Sequence, residues 1–145
     1  MTSSASPRFR HQLVIPFQDA DVAGMLFFAH LFRYAHEAYE RFMSALGHPL
    51  AGIIGGGAYL LPLAHAEADY RRPMRLGEPI RIELGVGHLG ESSFRLHYLF
   101  LGGDGQLSAT AETVHVTFGV VEKRPVAIPP GLRKALEPYL LGDMA

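Results

Sequence analysis

Cysteine is absent from the 145 residues, which excludes disulfides, thiolate metal sites and a cysteine nucleophile and is compatible with a reducing compartment. An excess of one charge sign is missing too: 13 Lys+Arg stand against 14 Asp+Glu, a formal net charge of -1. That balance offers no long-range attraction for nucleic acid or an anionic membrane, so any anionic ligand must be met by local groups. No apolar run approaches the roughly 20 residues of a transmembrane helix. Met1 to Pro7 lacks the apolar core of a signal peptide. A cytoplasmic protein with no nucleic-acid and no membrane partner is expected. Apolar residues are plentiful at 48%, enough for a single domain over 1–145 whose core needs no staple, with 1–7 flexible.

Periodicity organises the chain. From Arg8 to Phe17 the residues alternate as in a strand, and Pro16, which donates no ladder hydrogen bond, puts that strand at an edge or ends it. Phe28, Phe32, Ala35, Tyr39, Phe42 and Leu46 recur at steps of four and three, predicting one helix of about five turns. Gly47 suits its C-terminal cap, and the glycine-rich residues 52–57 read as a mobile loop. Period-two patterning then marks Tyr59–Tyr70, Pro79–Leu89, Ser92–Leu101 and Gln106–Val121 as an antiparallel meander, with a turn at Gly102-Gly103-Asp104-Gly105. Pro129–Leu140 predicts a short final helix. Five strands and one long helix bury both apolar faces if the sheet curls around the helix, an α+β arrangement. One sheet face still needs covering, a reason to expect a dimer.

The stretch Asp19-Ala20-Asp21-Val22-Ala23-Gly24, followed by Met25-Leu26-Phe27-Phe28-Ala29-His30, carries the chemistry. Two acids and a glycine sit directly ahead of the long helix, whose first N–H groups lack intrahelical partners and can hold charge developing on a substrate oxygen. A carboxylate beside such donors makes a paired base and oxyanion site; the plain alternative is an N-terminal cap. His65, Glu67 and Asp69 alternate on one strand face, but same-face neighbours about 7 Å apart do not converge on one ion. A polar sheet face is the expectation, with no metal.

Together with the element order, three motifs resemble the hot-dog-fold acyl-CoA thioesterases of the 4-hydroxybenzoyl-CoA thioesterase family. They are the 19–24 motif with Phe27-Phe28-Ala29, Asp69-Tyr70-Arg71-Arg72-Pro73-Met74 with Gly77-Glu78, and Arg124-Pro125-Val126-Ala127-Ile128-Pro129. His36-Glu37-Ala38-Tyr39-Glu40 and His65-Ala66-Glu67-Ala68-Asp69 look like the branch that hydrolyses 1,4-dihydroxy-2-naphthoyl-CoA. The resemblance implies a five-stranded sheet wrapped around a central helix, a homodimer or a tetramer built from dimers, and no cofactor beyond the coenzyme A of the substrate.

It also implies roles. Asp21 is the catalytic carboxylate, acting as nucleophile or as general base, and the backbone N–H of Phe28 faces the thioester oxygen. Gly24, lacking Cβ, permits close approach. Asp19 caps a turn, pairs with an arginine or repels Asp21, with capping favoured. His30 replaces the family's frequent Asn. His36 occupies the helix position where the 4-hydroxybenzoyl enzymes carry an Asp that meets the substrate phenol, so its imidazole is a candidate partner for an aryl hydroxyl. Phe27, with Phe28, Phe32 and Tyr39, is an aromatic wall candidate. The arginine pair with which some relatives bind the nucleotide is replaced by Gly90, Glu91 and Ser92, leaving Ser92, Ser93 and Arg72, besides Arg71, Arg75, Lys123 and Arg124, as candidates for coenzyme A. Two alternatives share these parts: a broad short- or medium-chain acyl-CoA thioesterase, and a non-catalytic acyl-CoA-binding module.

Overall fold

Alternating apolar residues give each long strand two unlike faces, and the structure, a computed structural model describing residues 8–142, turns the apolar faces onto one helix. Strand β1 (Phe9–Val14) is followed by a 3₁₀ turn (Phe17–Asp19), a second 3₁₀ turn (Phe28–His30), helix α1 (Leu31–Ala45) and helix α2 (Leu50–Gly56). Next come β2 (Tyr59–Leu60), β3 (Leu63–Tyr70), β4 (Pro79–Leu89), β5 (Ser93–Leu101), β6 (Leu107–Val116), β7 (Phe118–Gly119) and β8 (Arg124–Pro125). Helix α3 (Pro130–Leu136) and a 3₁₀ turn (Glu137–Tyr139) close the described chain. Residues 1–7, expected to be flexible, lie outside the described residues.

Five strands form an antiparallel sheet in the order β1-β4-β5-β6-β3. Ile80, Ile82, Leu84 and Val86 of β4 and Phe94, Leu96, Tyr98 and Phe100 of β5 fill its inner face. Against them α1 packs Leu31, Tyr34, Ala35, Ala38, Tyr39, Phe42 and Met43, one stripe at steps of three and four. Burial of each large apolar side chain contributes roughly 1.5–3 kcal/mol, so this helix-on-sheet layer supplies most of the drive to fold. The wrapped sheet, long helix and short C-terminal helix are the α+β hot-dog arrangement that the resemblance implied. No helix among the described residues is long and apolar enough to cross a membrane.

Several expectations are corrected. The buried stripe of α1 is rotated from the predicted one: Phe28 and Phe32 are 64% and 36% exposed. The first turn of the predicted helix is the 3₁₀ turn Phe28–His30. Residues 52–57 are not a loop, because burial of Ile53 anchors α2 despite its glycines and Gly57, at φ +72°, ends it in the left-handed region. Strand β1 stops at Val14, and Phe17 is 81% exposed in the 3₁₀ turn. Pro62 separates β2 from β3 within the predicted strand Tyr59–Tyr70, and buried Thr117 separates β6 from β7. Strands β2, β7 and β8 form a second, three-stranded sheet. Nor do the four long segments form a simple meander: β3 pairs with β6 at the far edge, and β4 lies between β1 and β5. The apolar side chains of β4 claim the middle, whereas the centre of β3 offers only Ala66 and Ala68 opposite the buried Thr113 and Ala111 of β6.

Phe42, fully buried between Phe9 and Tyr139, is the test of the helix-on-sheet core. Phe42→Ala is expected to lower the unfolding free energy by about 3–5 kcal/mol in denaturant titration.

Candidate active site

The loop from Asp19 to Phe27 is closed by its own backbone. Phe27 N–H donates to Asp19 O at 3.0 Å, Asp21 N–H to Met25 O at 2.7 Å and Gly24 N–H to Asp21 O at 3.0 Å. Gly24 turns the chain at φ +79°, a conformation that a Cβ would strain. The loop is then sewn to residues 74–76: Leu26 N–H donates to Met74 O at 2.6 Å and Leu76 N–H to Gly24 O at 2.8 Å.

Asp21 stands exposed at the corner of this loop. Its Oδ1 accepts the N–H groups of Ala23 at 2.8 Å and Met25 at 3.1 Å, which fixes the carboxylate plane. Oδ2 has no hydrogen-bond partner among the described residues, so one oxygen is held and the other is free to react. Seven residues on, the first N–H groups of the Phe28–His30 turn have no backbone acceptor among the described residues, as the start of a helix requires. Tyr70 donates its hydroxyl to Phe28 O at 2.6 Å and so fixes the peptide that follows the Phe28 N–H. Tyr70 belongs to a motif visible in the sequence, but only its place at the end of β3, opposite Phe28, gives it this contact.

Asp19 is not a helix cap. It is buried at 3% exposure, accepts the Tyr34 hydroxyl and the Arg33 guanidinium, and lies 3.9 Å from His30 Nε2. Burial alone raises its pKa; the hydrogen bonds from Tyr34 and Arg33, with the guanidinium charge, outweigh that and hold it below the ordinary carboxylate range. Burial, then the Asp19 contact, drives the Tyr34 phenol up. Of the alternatives for Asp19, pairing with an arginine is the one observed. Tyr34 was not singled out by the sequence, although its place four residues before Ala38 on the buried stripe is the available signal.

The remaining candidates are dispersed. Phe27 and Phe28 are 46% and 64% exposed, with ring centroids 5.0 Å apart, and Phe27 meets His30 edge-on at 5.9 Å. His36 is exposed on α1, its ring 5.5 Å from that of Tyr39 and inclined by 66°. Arg72 is near the loop but engaged: its guanidinium donates to Asp104 at 2.8 and 3.0 Å and to Gln106 at 3.0 Å, holding the Asp104 carboxyl down to about 2. An open pocket of about 610 Å³ lies beside this pair and includes Arg75, which bridges to Met25 of the loop. Ser93 begins β5 at the opposite end of the sheet, roughly 26 Å of strand away from the Arg72 end. Within one chain it does not meet Asp21. His65 Nε2 and Glu67 Oε1 pair at 3.1 Å on an exposed face of β3.

With this geometry in place, the comparisons with known proteins are decisive for family. The model of the thioesterase-like superfamily matches residues 15–136. The chain belongs to that superfamily. A 1,4-dihydroxy-2-naphthoyl-CoA hydrolase of Synechococcus elongatus is 38% identical over 130 residues, covering 89% of this chain and 95% of the relative. A hydrolase of the same name from Thermosynechococcus vestitus is 30% identical over 124 residues, covering 86% and 85%. In three dimensions the chain is similar to the 1,4-dihydroxy-2-naphthoyl-CoA thioesterase of Synechocystis, at TM-score 0.83 and 28% identity over 89% of this chain and 95% of that one. The exposed carboxylate therefore sits in a thioesterase-like scaffold matched over nearly its whole length.

The Asp19 contact has a pH signature. Because the folded carboxyl titrates below its unfolded value, its stabilisation is present above the ordinary carboxylate pKa and is lost as pH falls through the depressed folded value. Asp19→Asn is expected to cost about 1–3 kcal/mol at pH 7. In urea titrations from pH 7 to pH 3 the gap to wild type should narrow; a constant gap would contradict the charged contact.

Proposed function

We propose that the protein hydrolyses an aromatic acyl-CoA thioester, with 1,4-dihydroxy-2-naphthoyl-CoA as substrate, and that Asp21 is the reacting carboxylate. The observation that carries this reading is the pairing, in one short loop, of a carboxylate with one oxygen held and one free and an unpartnered helix-start N–H seven residues on. The substrate assignment is supported by the 38% identical hydrolase and the like-named structural neighbour.

In this reading the thioester oxygen faces the Phe28 N–H, which takes up negative charge as the carbonyl carbon becomes tetrahedral. The free Asp21 oxygen either attacks that carbon, giving a mixed anhydride that water then cleaves, or removes a proton from an attacking water. Collapse of the tetrahedral adduct breaks the C–S bond and expels the coenzyme A thiolate, which takes up a proton, leaving the anhydride for hydrolysis to the free acid in the first route and the free acid directly in the second. The acyl ring lies against Phe27, with His36 meeting a ring hydroxyl, and Arg75 offers a guanidinium to the coenzyme A phosphates. The chemistry needs no metal or further cofactor, and a cytoplasmic setting suits a coenzyme A thioester.

A homodimer through β3 completes the arrangement. This eight-residue edge strand is exposed on both faces except at half-buried Ala68 and contains no proline, and Phe28, Phe32 and Tyr70 lie open beside it. Since β3 runs parallel to β5, two-fold antiparallel pairing of β3 with its copy carries the Ser93 end of one subunit toward the Asp21 end of the other. That gives Ser93 a role across the interface, beside Arg75 for coenzyme A.

Asp21→Asn keeps an acceptor for Ala23 and Met25 and should reduce thiol release from 1,4-dihydroxy-2-naphthoyl-CoA by about 10²–10⁴-fold. Equal rates on aliphatic acyl-CoAs would favour the broad thioesterase, and no turnover of any acyl-CoA would favour a binding module. His36→Ala should weaken use of hydroxylated aromatic substrates by roughly 2–10-fold, the worth of one hydrogen bond. In sedimentation, wild type should run as a dimer or tetramer and Ala66→Arg, a charge at the middle of β3, should run as a monomer; a monomeric wild type would overturn the assembly.

A further inference from the structure

A polar cluster lies in the core where a phenyl ring would suffice. His115, on the inner face of β6, is 1% exposed, and burial, then the nearby His36, pushes its pKa down to about 3. The imidazole is therefore neutral at working pH. Its ring stacks on Tyr39 at 4.2 Å and 21° and on Phe94 at 5.4 Å and 24°. Its Nε2 lies 2.9 Å from Thr113 Oγ1, which lies 2.9 Å from the Tyr98 hydroxyl. Meanwhile His115 Nδ1 and the Tyr39 hydroxyl are buried without a hydrogen-bond partner among the described residues. Each such group costs stability, so the stack calls for an explanation other than packing.

The stack ends at the surface on His36, whose ring meets Tyr39 edge-on. We infer that Tyr39 and His115 are positioning residues that set the plane of the His36 imidazole for an aryl hydroxyl, an inference that rests on the substrate reading above. The hydrogen bond between Thr113 and His115 stops the His115 ring from rotating in its slot, the stacked Tyr39 ring inherits that orientation, and His36 packs against Tyr39. A phenyl ring at 115 fills the same volume without that pin. Histidine at 115 thus serves the specificity of a residue it does not touch.

The test is a double-mutant cycle on two thioesters, 1,4-dihydroxy-2-naphthoyl-CoA and 2-naphthoyl-CoA, which lacks the hydroxyls. Tyr39→Leu and His115→Phe should each lower the preference for the hydroxylated substrate roughly 3–10-fold, the scale of a weakened hydrogen bond, through KM rather than kcat. In the His36→Ala background neither should lower it further. Should one variant fail to fold, the other completes the cycle. An undiminished preference, a loss that persists without His36, or equal loss on both substrates overturns the inference. Wild type inactive on both thioesters would instead count against the proposed function. The inference is then judged by the His36 ring resonances in NMR spectra, which should move in His115→Phe; unmoved resonances would overturn it.

Discussion

The buried Asp19 carboxylate, gripped by the Tyr34 hydroxyl and the Arg33 guanidinium, joins the two pieces of chain on which the candidate site stands. Asp19 begins the loop that presents Asp21; Tyr34 and Arg33 lie on the first turn of α1, directly after the Phe28–His30 turn. Between them the loop is largely exposed and held by backbone hydrogen bonds, by the Asp21 carboxylate and by the Tyr70 hydroxyl, and ordering each residue costs about 1–2 kcal/mol in backbone entropy. A paired charge in this position is a poor source of net stability, since desolvation offsets much of its attraction. What it supplies is register: an apolar side chain would satisfy the burial but would not select one rotation of loop on helix.

The second constraint is the unequal treatment of the two sheet edges. At the β1 edge, Pro16 follows the strand, and the C-terminal segment bridges Leu140 to Val86 and donates Leu141 N–H to Val86 O at 2.8 Å where β4 outruns β1. Gly85 gives room for that segment, because a Cβ there would come within 2.7 Å of Leu141. At the β3 edge nothing comparable is present among the described residues, and mid-strand Ala66 and Ala68 on the inward face are small enough for another backbone to approach. One edge is finished within the chain and the other is left open.

The fold was legible in the sequence wherever alternation was long. Ile80 to Val86 and Phe94 to Phe100 place their even-numbered residues inward without ambiguity, and both strands are found there. Legibility failed where one residue breaks a run: Pro62 and Thr117 each redirect the chain into the small sheet, and neither interrupts the alternation enough to announce it. Glycines misled at α2, where the burial of Ile53 overrides their weak helix preference. At the site, two acids and a glycine ahead of a helix stand out by their spacing, whereas Asp21 and the Phe28 N–H are singled out by the family resemblance. Tyr34, Tyr70 and His115 could not be picked out, since their partners lie 15, 42 and 2 residues away and only the folded register brings the first two contacts together.

The exposure of the candidate groups bears on the proposed dimer. A backbone N–H stabilises a developing oxyanion in inverse proportion to the local dielectric, and the difference between water and a protein interior is at least several-fold. Asp21 and the Phe28–His30 turn lie on open surface, and Phe27 and Phe28 are 46% and 64% exposed. Exposed aromatic side chains side by side, as Phe27 and Phe28 are, mark a surface made to be covered. In the proposed function an acyl ring would cover part of it, and in the proposed dimer a copy seated on β3 would cover more. In the proposed assembly the single chain supplies the groups and their geometry, and the low-dielectric medium in which that geometry is effective would come from substrate and second subunit closing over them.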